Sequence, residues 1–279
     1  MNVAARSAGS GWGAAFRLAA AACVCAAAAA AAAAPRLEAD PHAAAAPAAA
    51  EPGLIDLGDG AVAFVPAPVA GARPAPLLVL MHGAGGDGAG IVRRFAREAE
   101  AHGIVLLGLK SKAPSWDLIG ARTPQPAEAS RIDRRSLAFR IDPPRIDAAL
   151  RALFARVPID PAQIGLAGFS DGASYALSIG TANPRLFGSV LAFSPGMAEL
   201  PGRLRSGQRL FVAHGRSDRI LSYQVTTDHI LPRLRKARLA VAFRPFDGGH
   251  VIPDEVSAEA FRFFLDRPGA GDLGQAAAR

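Results

Sequence analysis

Ile164-Gly165-Leu166-Ala167, then Gly168-Phe169-Ser170-Asp171-Gly172, then Ala173 to Ala182, is the stretch whose reading decides the fold. The first four residues form a short run suited to a buried strand, and the last ten have helical character. Between them stands G-x-S-x-G, the pattern of a serine lifted on a sharp strand-to-helix turn. Glycines flank Ser170 because larger side chains there would collide with neighbouring backbone, and because the turn holds the serine in a strained conformation. The following helix points its positive end at any negative charge that develops beside the serine. The pentapeptide alone is weak in a chain with 29 glycines; strand before and helix after make it informative.

Outward from this turn, five more short apolar runs read as strands: Leu77 to Met81, Ile104 to Leu109, Val190 to Phe193, Leu210 to Ala213 and Leu239 to Phe243. Between them Ile146, Leu150, Leu153, Phe154 and Val157 fall at helical spacing, as do Val256, Ala260, Phe261, Phe264 and Leu265. Strand and helix in alternation predict an α/β domain with a mostly parallel central sheet and helices on both faces. Together with the serine turn, this predicts the α/β-hydrolase fold. Leu54 to Leu57 and Ala61 to Val65, around Gly58-Asp59-Gly60, read as a hairpin at the sheet edge. Ser111 to Pro144 has turn residues, arginines and weak periodicity, and reads as a long irregular loop of the kind often found at a site. The strands and helices use up nearly all the residues, which leaves no room for a separate cap domain.

The 279 residues suffice for one sizeable core. The net charge of +7 comes mostly from scattered arginines, with no lysine-rich tract interleaved with aromatics, so nucleic acid is not an expected partner. Residues 1–34 read as a signal peptide: Arg6 and Arg17 precede an uncharged run, Leu18 to Ala34, with small residues for cleavage near Ala32 or Ala33. The protein is therefore expected to be exported, periplasmic or extracellular. At 17 residues the run is at the short limit of a membrane span, and an uncleaved anchor is the alternative, the one expected route to a membrane. Both cysteines, Cys23 and Cys25, lie in it, so removal leaves a mature chain without thiols. Residues 35–52 read as an alanine- and proline-rich linker, 53–268 as the catalytic domain, and 269–279 as a flexible tail. Nothing in the sequence fixes an oligomeric state.

A nucleophilic serine needs a base. Of the six histidines only His250, in Asp247-Gly248-Gly249-His250, comes late in the chain after the last strand. His82 and His214 end strands within His-Gly pairs and suit structural hydrogen bonds. In this fold the order is nucleophile, acid, base, which selects Asp218, shortly after the strand Leu210 to Ala213; Asp247 sits too near His250 in the loop. Ser194-Pro195-Gly196 mimics the nucleophile turn, but the residue after the nucleophile must donate its N–H to an oxyanion, which Asp171 can do and Pro195 cannot. The second donor comes from His82-Gly83-Ala84-Gly85-Gly86, as Ala84 or Gly85. No metal-ligand spacing occurs among the histidines, and no phosphate-binding Lys-Ser or Lys-Thr follows the glycines, so neither a metal nor a cofactor is expected.

From about Pro76 to Leu265 the chain resembles the phospholipase/carboxylesterase family of α/β-hydrolases, in the form met in bacterial exported esterases. The resemblance rests on Leu80 to Gly86, Ser115-Trp116-Asp117, Ala167 to Gly172, Ala213 to Asp218 and Gly248 to Pro253. It implies a hydrolase without cofactor that acts on small carboxylic esters, with Ser170, Asp218 and His250 in the triad positions and Trp116 shaping the substrate pocket. Arg122 to Arg140 departs from the family, being basic and irregular where the family is usually acidic. A secreted polyester depolymerase or feruloyl-type esterase would share the triad, and a non-catalytic binding relative is a further alternative. The arginines of Ser111 to Pro144 make a poor apolar lid for a lipid surface. The rate on short soluble esters should therefore rise smoothly with concentration. A jump in turnover where micelles form would show that this stretch closes over the site.

Overall fold

The computed structural model describes residues 34–43, 50–69, 74–122, 138–205 and 207–266. The expected signal through residue 33 with its two cysteines, residues 44–49 of the linker, residues 123–137 of the irregular stretch and the tail at 269–279 lie outside them. No described helix is long and apolar enough to cross a membrane.

Among the described residues eight strands form one sheet: β1 (Gly53–Asp56), β2 (Val62–Val65), β3 (Ala75–Met81), β4 (Val105–Leu109), β5 (Ile159–Phe169), β6 (Ser189–Phe193), β7 (Arg209–Gly215) and β8 (Ala240–Phe246). Their order across the sheet is β1-β2-β4-β3-β5-β6-β7-β8. β1 and β2 pair antiparallel as the expected edge hairpin, β2 is antiparallel to β4, and every pairing from β4 to β8 is parallel. The helices are α1 (Gly88–His102), α2 (Asp117–Arg122), α3 (Asp142–Phe154), α4 (Asp171–Ala182), α5 (Leu231–Lys236, entered through a π-helical turn at Val225–Ile230) and α6 (Asp254–Leu265).

Period-two alternation along β3 divides the core between the two sheet faces. Leu77, Val79 and Met81 pack with Trp116, Ile146, Leu150, Tyr175 and Ile179, the side of α3 and α4. Leu78 and Leu80 pack with Phe95, Phe261 and Phe264, the side of α1 and α6. Among the described residues no element stands apart as a cap.

Several boundaries differ from expectation, and at two of them proline is the reason. β5 begins at Ile159, because Asp160 to Gln163 form a bulge opposite β3 in which Pro161 has no ladder hydrogen bond to forfeit. α3 begins at Asp142, so Pro143 and Pro144 are helical; in the first turn their missing N–H groups are not needed. A further difference concerns the expected linker. The Leu37 N–H donates to Asn183 Oδ1 at 2.7 Å, while the Glu38 and Ala39 N–H groups donate to Asp147 Oδ1 at 2.9 and 2.8 Å. Asn183 Nδ2 in turn donates to Pro35 O at 3.0 Å. Both receiving side chains are buried. Residues 35–39 thus form a strap held by its backbone, which apolar content alone does not reveal. Asp147→Ala would leave two strap N–H groups without their acceptor, at about 1–3 kcal/mol. A melting temperature lower by several degrees is expected in a thermal scan; an unchanged one would show that the strap does not stabilise the domain.

Candidate active site

Ser170 occupies the turn between β5 and α4 with φ 57° and ψ −121°. Positive φ strains a residue that has a Cβ. The surroundings impose it: the Ser170 N–H donates to Phe193 O at 2.9 Å, and the flanking glycines allow backbone contact that no side chain could share. A Cβ on Gly168 would overlap Gly172 O, and one on Gly172 would overlap the carbonyl oxygens of Met81 and His82. The serine is thereby raised at the carboxyl end of the parallel strands, where open α/β sheets bind ligands.

His250 follows β8, and its Nε2 lies 2.8 Å from Ser170 Oγ while its Nδ1 lies 2.7 Å from Asp218 Oδ2. A carboxylate only accepts, so Nδ1 carries the proton and Nε2 is left to accept from the serine hydroxyl. The loops that carry Asp218 and His250 are laced together by Arg216 N–H to Phe246 O at 2.9 Å and Ser217 N–H to Gly248 O at 3.0 Å. The Asp218 side chain is fully buried. Its Oδ1 accepts from the Ile220 and Leu221 amides, both at 2.9 Å, and its Oδ2 lies 3.2 Å from His214 Nε2. Burial acts to raise its pKa, but the hydrogen bonds from His250, Leu221 and Ile220 outweigh it and hold the carboxyl below its ordinary value. Asp247, by contrast, has a side chain 96% exposed, 3.5 Å from Arg216 Nε. Ser194 is fully buried, and its Oγ has no hydrogen-bond partner among the described residues.

Asp171 opens α4, so its N–H has no intrahelical acceptor. Across from it, the Gly85 N–H is taken by Pro114 O at 2.7 Å, whereas among the described residues no protein acceptor takes the Ala84 N–H. His82 braces this loop. The Ser111 N–H donates to its Nε2 at 3.2 Å, so Nδ1 carries the proton and donates to Gly83 O at 2.6 Å. Burial lowers the pKa of His82 and favours this neutral form. The expectation that Trp116 shapes the substrate pocket is corrected. Its side chain is 1% exposed, its Nε1–H donates to His82 O at 2.9 Å, and its ring stacks on Tyr175. A cleft of about 560 Å³ beside Ser170 and His250 is lined instead by Ile91, Phe169, Val251 and Ile252, with Arg94 also in its wall. Among the described residues no group of three or more His, Cys, Asp or Glu side chains is arranged to hold a metal ion.

The family model described as phospholipase/carboxylesterase matches residues 68–265. The chain belongs to this family of hydrolases. Its fold is shared with solved structures of the esterase PE8 (24% identical, 69% of this chain and 95% of that one, TM-score 0.53) and the Bacillus cereus carboxylesterase (19%, 68% and 88%, 0.52). A phospholipase/carboxylesterase from Dyadobacter fermentans is also similar (21%, 80% and 100%, 0.52). No curated protein matches the chain at the level of sequence.

Two residues at the site were quoted within motifs but given no role there. Phe169 packs its ring 4.8 Å from that of His250, and its signal was its place inside the serine pentapeptide. Ser115 donates to Asp171 Oδ2 at 2.6 Å, a contact across 56 residues that the motif Ser115-Trp116-Asp117 does not itself reveal. The depressed pKa of Asp218 has a sign that can be tested. A carboxyl whose folded pKa lies below its unfolded one stabilises the protein above the unfolded value, and that contribution is lost as pH falls through the folded value. Asp218→Asn should therefore be less stable than wild type in urea at pH 7, with the gap shrinking below about pH 4. A gap of constant size down to pH 3 would show that the charge of Asp218 does not stabilise the fold.

Proposed function

We propose that the chain is a serine carboxylic ester hydrolase working through an acyl-enzyme on Ser170. The observation that carries this reading is the unbroken chain from Ser170 Oγ through His250 to Asp218, at 2.8 and 2.7 Å. His250 Nε2 takes the hydroxyl proton as Ser170 Oγ attacks the ester carbonyl. Asp218 keeps the imidazole in the required tautomer and balances the imidazolium. The carbonyl electrons move onto oxygen, which the Asp171 and Ala84 amides receive; Gly85 is excluded by its bond to Pro114. Each such donor lowers the barrier by about 3 kcal/mol. The imidazolium then protonates the leaving alcohol. Water, deprotonated by His250, repeats the attack on the acyl-enzyme and releases the acid.

The cleft beside the serine suits one limb of a small ester, since its lining is mainly apolar, with His82, Asp87, Arg94 and His250 as its polar side chains. The N-terminal run from Leu18 to Ala34 supports work outside the cytoplasm, after export. Ser170→Ala should abolish both ester turnover and labelling by a fluorophosphonate. Asp218→Asn should lower kcat by about 10⁴ through the wrong tautomer, whereas Asp247→Asn should stay close to wild type. Labelling of Ser170→Ala would refute the nucleophile, and a reversal of the two aspartate variants would refute the acid.

A further inference from the structure

β3 and β5 are neighbours in the sheet, and their ladder ends at the pair Met81 and Gly168. Ala84 and Asp171 each lie three residues beyond that pair, so the ladder does not fix the spacing of their amides. Gly172 brings the two arms into contact at Met81 and His82, and Gly83 lies against Phe169 and Ser170, so the two amides sit one residue beyond the last of these contacts. The segment leaving β4 reaches both arms at that point. Pro114 O accepts from the Gly85 N–H at 2.7 Å, and Trp116 Nε1–H donates to His82 O at 2.9 Å, both on the first arm. Ser115 Oγ–H donates to Asp171 Oδ2 at 2.6 Å, and the Trp116 ring stacks on Tyr175 of α4, both on the second. The segment is itself anchored. Asp142 Oδ1 and Oδ2 accept from the Lys112 and Asp117 amides at 2.9 and 2.8 Å, and Asp117 Oδ2 accepts from the Asp142 amide at 3.1 Å.

We propose that Pro114, Ser115 and Trp116 form a positioning clamp that sets the distance between the two oxyanion donors. They act through hydrogen bonds to both arms and do not touch substrate. The Ser115 contact has a second effect: it turns the Asp171 carboxylate toward the clamp and away from the oxygen on which negative charge develops. Donors that must converge on one point lose much of their effect when displaced by a fraction of an ångström.

The inference rests on the proposed serine mechanism, and its test separates the two. Ser115→Ala and Trp116→Phe each remove one donor while keeping most of the side chain; Ser115→Thr keeps the hydroxyl. With p-nitrophenyl acetate, kcat should fall about tenfold in the first two variants with KM within about twofold, and Ser115→Thr should stay near wild type. The inhibition constant of a trifluoromethyl ketone, which forms an oxyanion on the serine, should rise by the same factor, while melting temperatures change little. Wild-type kcat in Ser115→Ala, or a fall in kcat without matching loss of inhibitor affinity, would overturn the clamp. If Trp116→Phe does not fold, Ser115→Ala decides. An inert Ser170→Ala beside fully active clamp variants would defeat the clamp alone, whereas an active Ser170→Ala would defeat the mechanism and the clamp with it.

Discussion

The positive φ of Ser170 is the constraint on which the rest of the site depends. A serine in relaxed backbone at the end of β5 would continue the strand and point its hydroxyl along one sheet face. Holding it at φ 57° instead requires forces from three directions: a hydrogen bond from its N–H to β6, close backbone contact with the end of β3, and a helix that begins at the next residue. Strain of this kind costs about 1–3 kcal/mol and persists only where surrounding structure over-determines it. The core on both sheet faces supplies that surplus. The hydroxyl consequently meets His250 with little freedom left to lose, which is how a scaffold converts packing into reactivity.

Much of this was legible in the sequence because the signals were local. All six long strands lie where apolar runs sit between turn residues, and the edge hairpin follows from Gly58-Asp59-Gly60. Ser170, Asp218 and His250 were found from chain order and loop chemistry, and the structure brings their side chains together. What escaped was non-local. The family resemblance placed Trp116 in the pocket, yet its N–H reaches a carbonyl 34 residues away and its ring is buried. Choosing between Ala84 and Gly85 required knowing that Pro114 O faces Gly85, which no spacing encodes. The strand was expected only from Ile164 and the irregular stretch up to Pro144, whereas the structure carries Pro161 in a bulge and Pro143 in a first helical turn, where proline forfeits no needed hydrogen bond.

The two strand-end histidines show how much structure stands behind Ser170, Asp218 and His250. His82 fixes the loop that carries Ala84, and His214, buried between Thr226 and Leu221, approaches the same Asp218 Oδ2 that meets His250. Burial lowers the pKa of each, so both favour the neutral state and act as fixed hydrogen-bonding wedges. Both belong to His-Gly pairs at the same end of the parallel sheet.

The strap at residues 35–39 carries a consequence for the order in which the molecule assembles. Its partners, Asp147 on α3 and Asn183 just past the end of α4, lie 108 to 148 residues further along the chain. Loops of that length close at an entropic cost that is recovered only after α3 and α4 have settled on the sheet. The segment made first among those described is thus among the last to dock. Contacts that form after the rate-limiting step leave the folding rate nearly untouched and act on the rate of unfolding. A short polar strap of this kind works as a latch against opening, and lengthens the life of the folded state more than it hastens its arrival.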